Sequence, residues 1–238
     1  MNEFETHKKY KFHATILFAN ENYDLLNRAL DSLMPQMMEY SSEQYKIVII
    51  QKSDKMDLDY NKINIKTGFT SFHVSKDILY PQALNYAIRT AIDNNKDFMF
   101  QFHDDAQALP DLIKGMIEKY EEVKDTQWSA IFGGAGDHCS FYNHKYNINF
   151  NSFYDAFLFP HYFMDNHYFR VATLRGWPIV DVVPKRTIHE GSAGLNVGNF
   201  RIKNGVAFPH SAALYASIWG GSVGNETIND PNARGVVD

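Results

Sequence analysis

Hydrophobic positions up to Phe132 fall into two alternating patterns. Short apolar runs appear at Ala14–Ala19 (ATILFA), Lys46–Ile50 (KIVII), Phe98–Phe102 (FMFQF) and Ser129–Phe132. Between them, apolar residues recur at helical spacing: Leu26, Leu30, Leu33 and Met37, then Leu84, Ile88 and Ala91, then Leu112, Ile113, Met116 and Ile117. The first pattern predicts strands buried on both faces, and the second predicts helices with one apolar stripe. Pro81 and Pro110 stand where two of these helices begin. Proline loses little in a first turn, because its missing N–H would have no partner there.

Strand and helix in alternation predict an α/β fold: a mostly parallel sheet covered by helices on both sides. In such sheets ligands bind beyond the carboxyl ends of the strands. The polar segments that follow the predicted strands are therefore the first candidates for a site: Asn20 to Asn22, Gln51 to Asp54, and His103 to Asp105. Beyond Asn143 the rhythm is lost in a crowd of Asn, Tyr, Phe and His. A short helix is predicted from about Asn166 to Arg175, ended by Gly176, and a strand over Ile179–Val183. The tail from Gly220 onward reads as loop. With no internal repeat and no low-complexity linker, the 238 residues form one expected domain, 1–238.

Composition narrows the function classes. Hydrophobic residues make up 45% of the chain and charged residues 21%, enough apolar content for a packed core. Eighteen Phe and 14 Tyr suit either a ring-lined cleft or a ring-filled core. The net charge is −5 and Lys and Arg are scattered, which disfavours a nucleic-acid partner. No apolar run approaches the roughly 20 residues that span a bilayer, and the start, Met1 to Lys11, is polar. Cys139 is the single cysteine, so neither a disulfide framework nor a cysteine zinc site is available. The expectation is a cytoplasmic protein with no stable membrane insertion.

The strongest chemical signal is FMFQFHDDA, Phe98 to Ala106. An apolar strand delivers His103, Asp104 and Asp105 to its carboxyl end. Adjacent carboxylates there call for a cation or hydrogen-bond donors, and oxygen ligands of this kind suit Mg²⁺ or Mn²⁺ on a diphosphate. The residues alone allow a second reading, in which Asp104 and Asp105 merely cap the next turn. Other motifs fail. Gly220-Gly221-Ser222-Val223-Gly224 matches a nucleophile elbow in letters, but no histidine follows it. Gly133-Gly134-Ala135-Gly136 is not a dinucleotide fingerprint, a Walker lysine motif is absent, and His138 and His144 lack zinc spacing.

Taken together, several segments resemble the family-two glycosyltransferases, in the same order. ANEN after the first strand, DSLMPQ (Asp31 to Gln36), KIVIIQKSD (Lys46 to Asp54), YPQALNYAIRTA (Tyr80 to Ala91), FHDDAQALPDLI (Phe102 to Ile113), MDNHYFRVATLRGW (Met164 to Trp177), VVPKRTIHEGS (Val182 to Ser192) and YASIWGGSVGNETINDP (Tyr215 to Pro231) carry the likeness, which spans about residues 12 to 231. The chain departs from the family pattern where His103 replaces the first acid of D-x-D, Met164 the glutamate before Asp165, and Ile218 the lysine before Trp219.

The resemblance implies a GT-A, Rossmann-like fold, with a nucleotide-binding half at about 12–110 and an acceptor-binding half at about 111–238. It implies transfer of a sugar from a nucleotide-diphosphate sugar to the hydroxyl of a glycan, a protein or another acceptor, a nucleic acid being the less favoured one. Asp165 is implied as the catalytic base. Asp105 and His189 are implied as ligands of Mn²⁺ or Mg²⁺. Ala19, Asn20, Glu21, Asp54, Asn85 and Asp104 are implied on the donor side, with Trp219 stacking on a sugar or closing over it. Two other readings stand beside this one: a non-catalytic nucleotide-sugar or glycan-binding module, and a nucleotidyltransferase of the same fold type. The second calls for a glycine-rich basic loop after the first strand, where this chain has Ala19-Asn20-Glu21-Asn22.

Overall fold

A computed structural model describes residues 10–18, 22–40, 45–52, 58–64, 69–74, 78–151, 153–160, 162–190 and 199–233. Its centre is a seven-stranded sheet made of β1 (Phe12–Phe18), β2 (Tyr45–Lys52), β3 (Phe69–Val74), β4 (Phe98–His103), β6 (Ala130–Phe132), β7 (Cys139–Asn143) and β8 (Ile179–Asp181). The strand order is β3-β2-β1-β4-β7-β6-β8. The first four positions are mutually parallel, β7 runs antiparallel to both β4 and β6, and β8 returns parallel to β6. A separate two-stranded ribbon pairs β5 (Ala106–Ala108) with β9 (Thr187–His189).

Alternation along the strands splits the apolar residues between two cores, because successive side chains point to opposite faces. On one face Phe12, Ile16, Ile49, Phe98, Phe100, Phe102 and Phe141 meet Leu26, Leu30 and Leu33 of α1 (Tyr23–Met37) and Leu112, Met116 and Ile117 of α3 (Leu112–Val123). On the other, Leu17, Val48, Ile50 and Met99 meet Leu84 and Ile88 of α2 (Tyr80–Asp93). The same face carries α5 (Met164–Leu174) and the end of α6 (Asn199–Trp219). In β4 this second face receives Gln101 and His103, two residues apart, and that placement brings polar chemistry into an otherwise apolar layer.

Two side chains of the DSLMPQ segment lock α1 to the chain beyond β4. The Ser32 hydroxyl oxygen accepts from the Ala108 N–H at 2.9 Å. The Gln36 amide donates to the Leu109 carbonyl at 2.8 Å and accepts from the Ile113 N–H at 3.2 Å. The ribbon strand β5 and the first turn of α3 are thereby fixed against one helix end.

Strands β1, β2 and β4 and helices α1, α2 and α3 follow the apolar pattern, whereas the parallel edge strand β3 was not predicted. The remainder differs in several places. Strand β7 lies between β4 and β6, so the sheet is mixed; its sequence, CSFYN, alternates too weakly to announce a strand, although all five residues are buried. Helix α5 begins at Met164, slightly before the predicted start, and β8 stops at Asp181. Helices α4 (His144–Phe150) and α6 were not predicted. Among the described residues no helix is long and apolar enough to cross a membrane.

Phe100 is fully buried and packs edge-on against Phe141 at 5.3 Å between ring centroids. Phe100→Ala is expected to cost about 3–5 kcal/mol, measured as a lower urea midpoint with an unchanged denaturant slope.

Candidate functional site

The site begins where β4 ends. The chain turns through Asp104 and Asp105 and enters β5, whose Ala106 pairs with His189 of β9. That register sets Asp105 beside His189: Nε2 of His189 lies 3.0 Å from Oδ1 of Asp105, and the Glu190 N–H bonds the Asp105 carbonyl at 3.2 Å. Nδ1 of His103 approaches the same carboxylate oxygen at 3.8 Å. Asp105 is only 7% exposed, so its charge depends on these neighbours.

The two imidazoles respond in opposite directions. The hydrogen bond to Asp105 holds His189 above the ordinary histidine pKa, against the effect of burial. His103 is pushed down to about 4, first by burial, with Asp105 opposing. Without a cation, Asp105 thus favours the charged form of His189, while burial keeps His103 neutral at pH 7.

One ligand atom from each of His103, Asp105 and His189 lies within 4.8 Å of the other two. Two imidazoles and one carboxylate suit a borderline divalent ion such as Mn²⁺ better than Mg²⁺, which prefers all-oxygen surroundings. For Nδ1 of His103 to serve as a ligand, its ring proton must sit on Nε2. In the structure Nε2 instead accepts from the Gln101 amide at 2.8 Å, with the Tyr80 hydroxyl also 2.8 Å away, so ligation through Nδ1 requires the proton to move to Nε2 and the Gln101 amide to turn over. The donor set thus fits a divalent ion. It also includes His103, which stands where the resembling family carries an acid.

Beneath His103 runs a buried polar network. The Gln101 amide nitrogen lies 2.8 Å from Nε2 of His103 and donates to the Tyr80 hydroxyl at 3.2 Å. The Tyr142 hydroxyl donates to Gln101 Oε1 at 2.6 Å and lies 2.5 Å from the Tyr154 hydroxyl. Burial pushes the hydroxyls of Tyr80, Tyr142 and Tyr154 well above their ordinary pKa, so they remain protonated hydrogen-bonding groups.

Asp165 occupies the first turn of α5, after Phe163 in a left-handed backbone conformation. Met164 and Tyr168 beside it are buried. Its carboxyl is pushed up to about 7, mainly by burial and then by the Asp137 carboxylate, while backbone N–H groups oppose the shift. Asp137 is pushed up to about 6 by burial, with its backbone N–H, His189 and Gln101 acting against it. Asp137 thus lies in the electrostatic reach of both the His189 cluster and Asp165. It was missed in the sequence, because GGAGDH offered only a failed dinucleotide motif.

Asp105, Asp137 and Asp104 all act to raise His189, and Asp137 in turn acts on Asp165. Asn85 serves the scaffold: its side chain donates to the Tyr154 carbonyl and accepts from the Tyr154 N–H, both at 2.9 Å. Trp219 needs a correction. It is fully buried, its indole N–H donates to Nδ1 of His167 at 3.3 Å, and it packs near Tyr215, leaving no ring face for a sugar. Ala19, Asn20, Glu21 and Asp54 lie outside the described residues; β1 ends at Phe18 and β2 at Lys52.

No protein-family profile matches the sequence, and no curated protein matches it. Solved structures do match in shape. Mannosyltransferase PcManGT from Pyrobaculum calidifontis, solved with GDP-Man and Mn²⁺, aligns over 91% of this chain and 77% of its own, with 14% identity and a TM-score of 0.56. S. aureus TarS 1-349 in complex with UDP aligns over 74% of this chain and 59% of its own, with 14% identity and a TM-score of 0.56. The same protein with UDP-GlcNAc aligns over 79% and 61%, with 12% identity and a TM-score of 0.55. This chain therefore spans less than two thirds of the TarS fragment. At these identities the likeness is one of fold, and the fold is that of the GT-A type of glycosyltransferase.

Proposed function

We propose that this chain transfers a sugar from a nucleotide-diphosphate sugar to an acceptor hydroxyl, with inversion at the anomeric carbon. One observation carries the reading: a three-residue ligand cluster at the end of β4 and a partly buried carboxyl of raised pKa are linked through Asp137, which interacts with both His189 and Asp165. Neighbours of the same fold were solved with GDP-Man and Mn²⁺ or with UDP-GlcNAc, which supports the donor class.

His103, Asp105 and His189 would hold the divalent ion, which when bound supplies positive charge to the diphosphate as it leaves. In this reading residues 12–110 grip the nucleotide through Ala19, Asn20, Glu21, Asp54 and Asp104, and residues 111–238 present the acceptor. Asp165 takes the proton from the acceptor hydroxyl as it attacks. A carboxylate with a pKa of about 7 is a far better base than an ordinary one, yet it is still ionised in half the molecules at that pH. A single base and a direct in-line attack give inversion. The acceptor is a hydroxyl of a glycan, a protein or another soluble molecule.

Four experiments test this reading. A panel of nucleotide diphosphates and nucleotide sugars, screened by thermal shift, is expected to yield a ligand that stabilises the wild type only with Mn²⁺ and fails to stabilise Asp105→Ala. A shift with no member of the panel would overturn the transferase reading in favour of a non-catalytic module. The rate of donor turnover is expected to climb about tenfold per pH unit below 7 and to level off above it. Asp137→Asn removes a like charge from beside Asp165 and is expected to move that acid limb to lower pH. Asp165→Asn is expected to lower turnover by about 10²-fold or more. It is also expected to raise the melting temperature at pH 8 and leave it unchanged at pH 4. The reason is that a carboxyl whose folded pKa exceeds its unfolded value destabilises the fold as pH rises through the folded value.

A further inference from the structure

His138 lies flat against His189, the ring centroids 4.2 Å apart and the planes within 8°. It is 2% exposed and belongs to none of the ligand atoms grouped around Asp105. Both sides of its ring are tied down. Nε2 lies 2.8 Å from the Thr187 hydroxyl, and the ring also bonds the Ala135 carbonyl. With the Ala135 carbonyl accepting the ring proton, Nε2 is left to accept from Thr187. Thr187 and His189 are two residues apart in β9, so they share one face of that strand. His138 is thus bonded to the first of them and stacked on the second.

Gly134 makes this arrangement possible. A Cβ there would stand 2.0 Å from the Thr187 hydroxyl oxygen and 2.3 Å from Nε2 of His138. The loop backbone passes so close to this hydrogen bond that a side chain larger than hydrogen would break it. The same loop is anchored by the Arg186 N–H, which donates to the Gly133 carbonyl at 2.8 Å.

We propose that His138 is a positioning residue: held by Thr187 and the Ala135 carbonyl, it backs the His189 ring and fixes the plane in which Nε2 meets Asp105. An imidazole has a low barrier to turning about its last side-chain bond, and a ring flip would exchange Nε2 for a carbon. A flat partner on one face, with the His103 ring edge-on at 5.5 Å, removes that freedom. Residues that orient a ligand in this way are worth about 10–100-fold in metal affinity. The inference rests on the reading that His189 and Asp105 hold a divalent ion, and it goes beyond it by naming what aims the ligand.

The experiment uses the full chain in four forms: wild type, His138→Ala, Thr187→Val and Thr187→Ser. Mn²⁺ affinity is read from the electron paramagnetic resonance signal of the free ion. The His189 side-chain nitrogens are read by NMR in the metal-free protein. His138→Ala and Thr187→Val are expected to weaken Mn²⁺ binding about tenfold or more, and Thr187→Ser, which keeps the hydroxyl, to restore it. In the metal-free protein His189 is expected to give one sharp set of ring signals in the wild type and Thr187→Ser. Mixed or broadened signals are expected in the other two. Thr187→Val keeps the side-chain shape and decides the matter if His138→Ala fails to fold. Unchanged His189 signals in Thr187→Val, together with unchanged Mn²⁺ affinity, would overturn the proposal. A wild type that binds no Mn²⁺ while His189 signals still respond to the variants would sink the cation reading and keep the positioning role.

Discussion

A carboxylate buried at the end of an apolar strand is tolerated only if its surroundings supply compensating charge or hydrogen bonds. Asp105 is such a group, and much of the site answers to it. The β5–β9 ribbon exists in the register that puts His189 against it, and β4 ends so that His103 turns toward it. Ser32 and Gln36 hold the start of that ribbon from the far side of the sheet. The sheet supplies the platform, but the ribbon sets the chemistry.

From this centre the electrostatic environment changes across a short span. Asp105 favours the protonated form of His189, and Asp137 feels His189 as a favourable neighbour. Asp165, further along, feels mainly burial and the negative charge of Asp137. The carboxyl groups of Asp105 and Asp165 thereby sit in different environments: one is hydrogen-bonded to His189, the other is held near neutrality. Opposed environments for like groups are how a single protein runs electrostatic and proton-transfer chemistry at one pH. The tyrosines around Gln101 supply an uncharged, hydrogen-bonded floor under both.

What was legible in the sequence was what repeats. The apolar runs of β1, β2 and β4 and the stripes of α1, α2 and α3 follow fixed periods, so half of the sheet and both of its layers could be read directly. The fold type and the segment around Asp105 followed from the order of the motifs. The rest depends on contacts between distant residues. Strand β7 carries Cys139, Ser140 and Asn143 at buried positions because β4 and β6 satisfy its backbone from both sides, which no local pattern reveals. Helix α6 mixes apolar and polar residues on every side and so shows no stripe to count. Asp137 was passed over, and His138 was considered only as a zinc ligand, because their partners, Asp165 and Thr187, are distant in the chain. Trp219 was misread because a lone tryptophan beside glycines suggests a lid, whereas its indole is enclosed near His167 and Tyr215.

The crowding at Gly134 has a consequence for inheritance. A Cβ at this position collides with Thr187 and His138 at once, so neither side chain alone can make room for it. A lineage could abandon this glycine only after shortening both of those residues, and each such step loosens His189 before anything is gained. The three positions therefore form one unit of variation. Divergent copies of this gene should keep all three together or have lost all three, with the single intermediates rare among their ancestors.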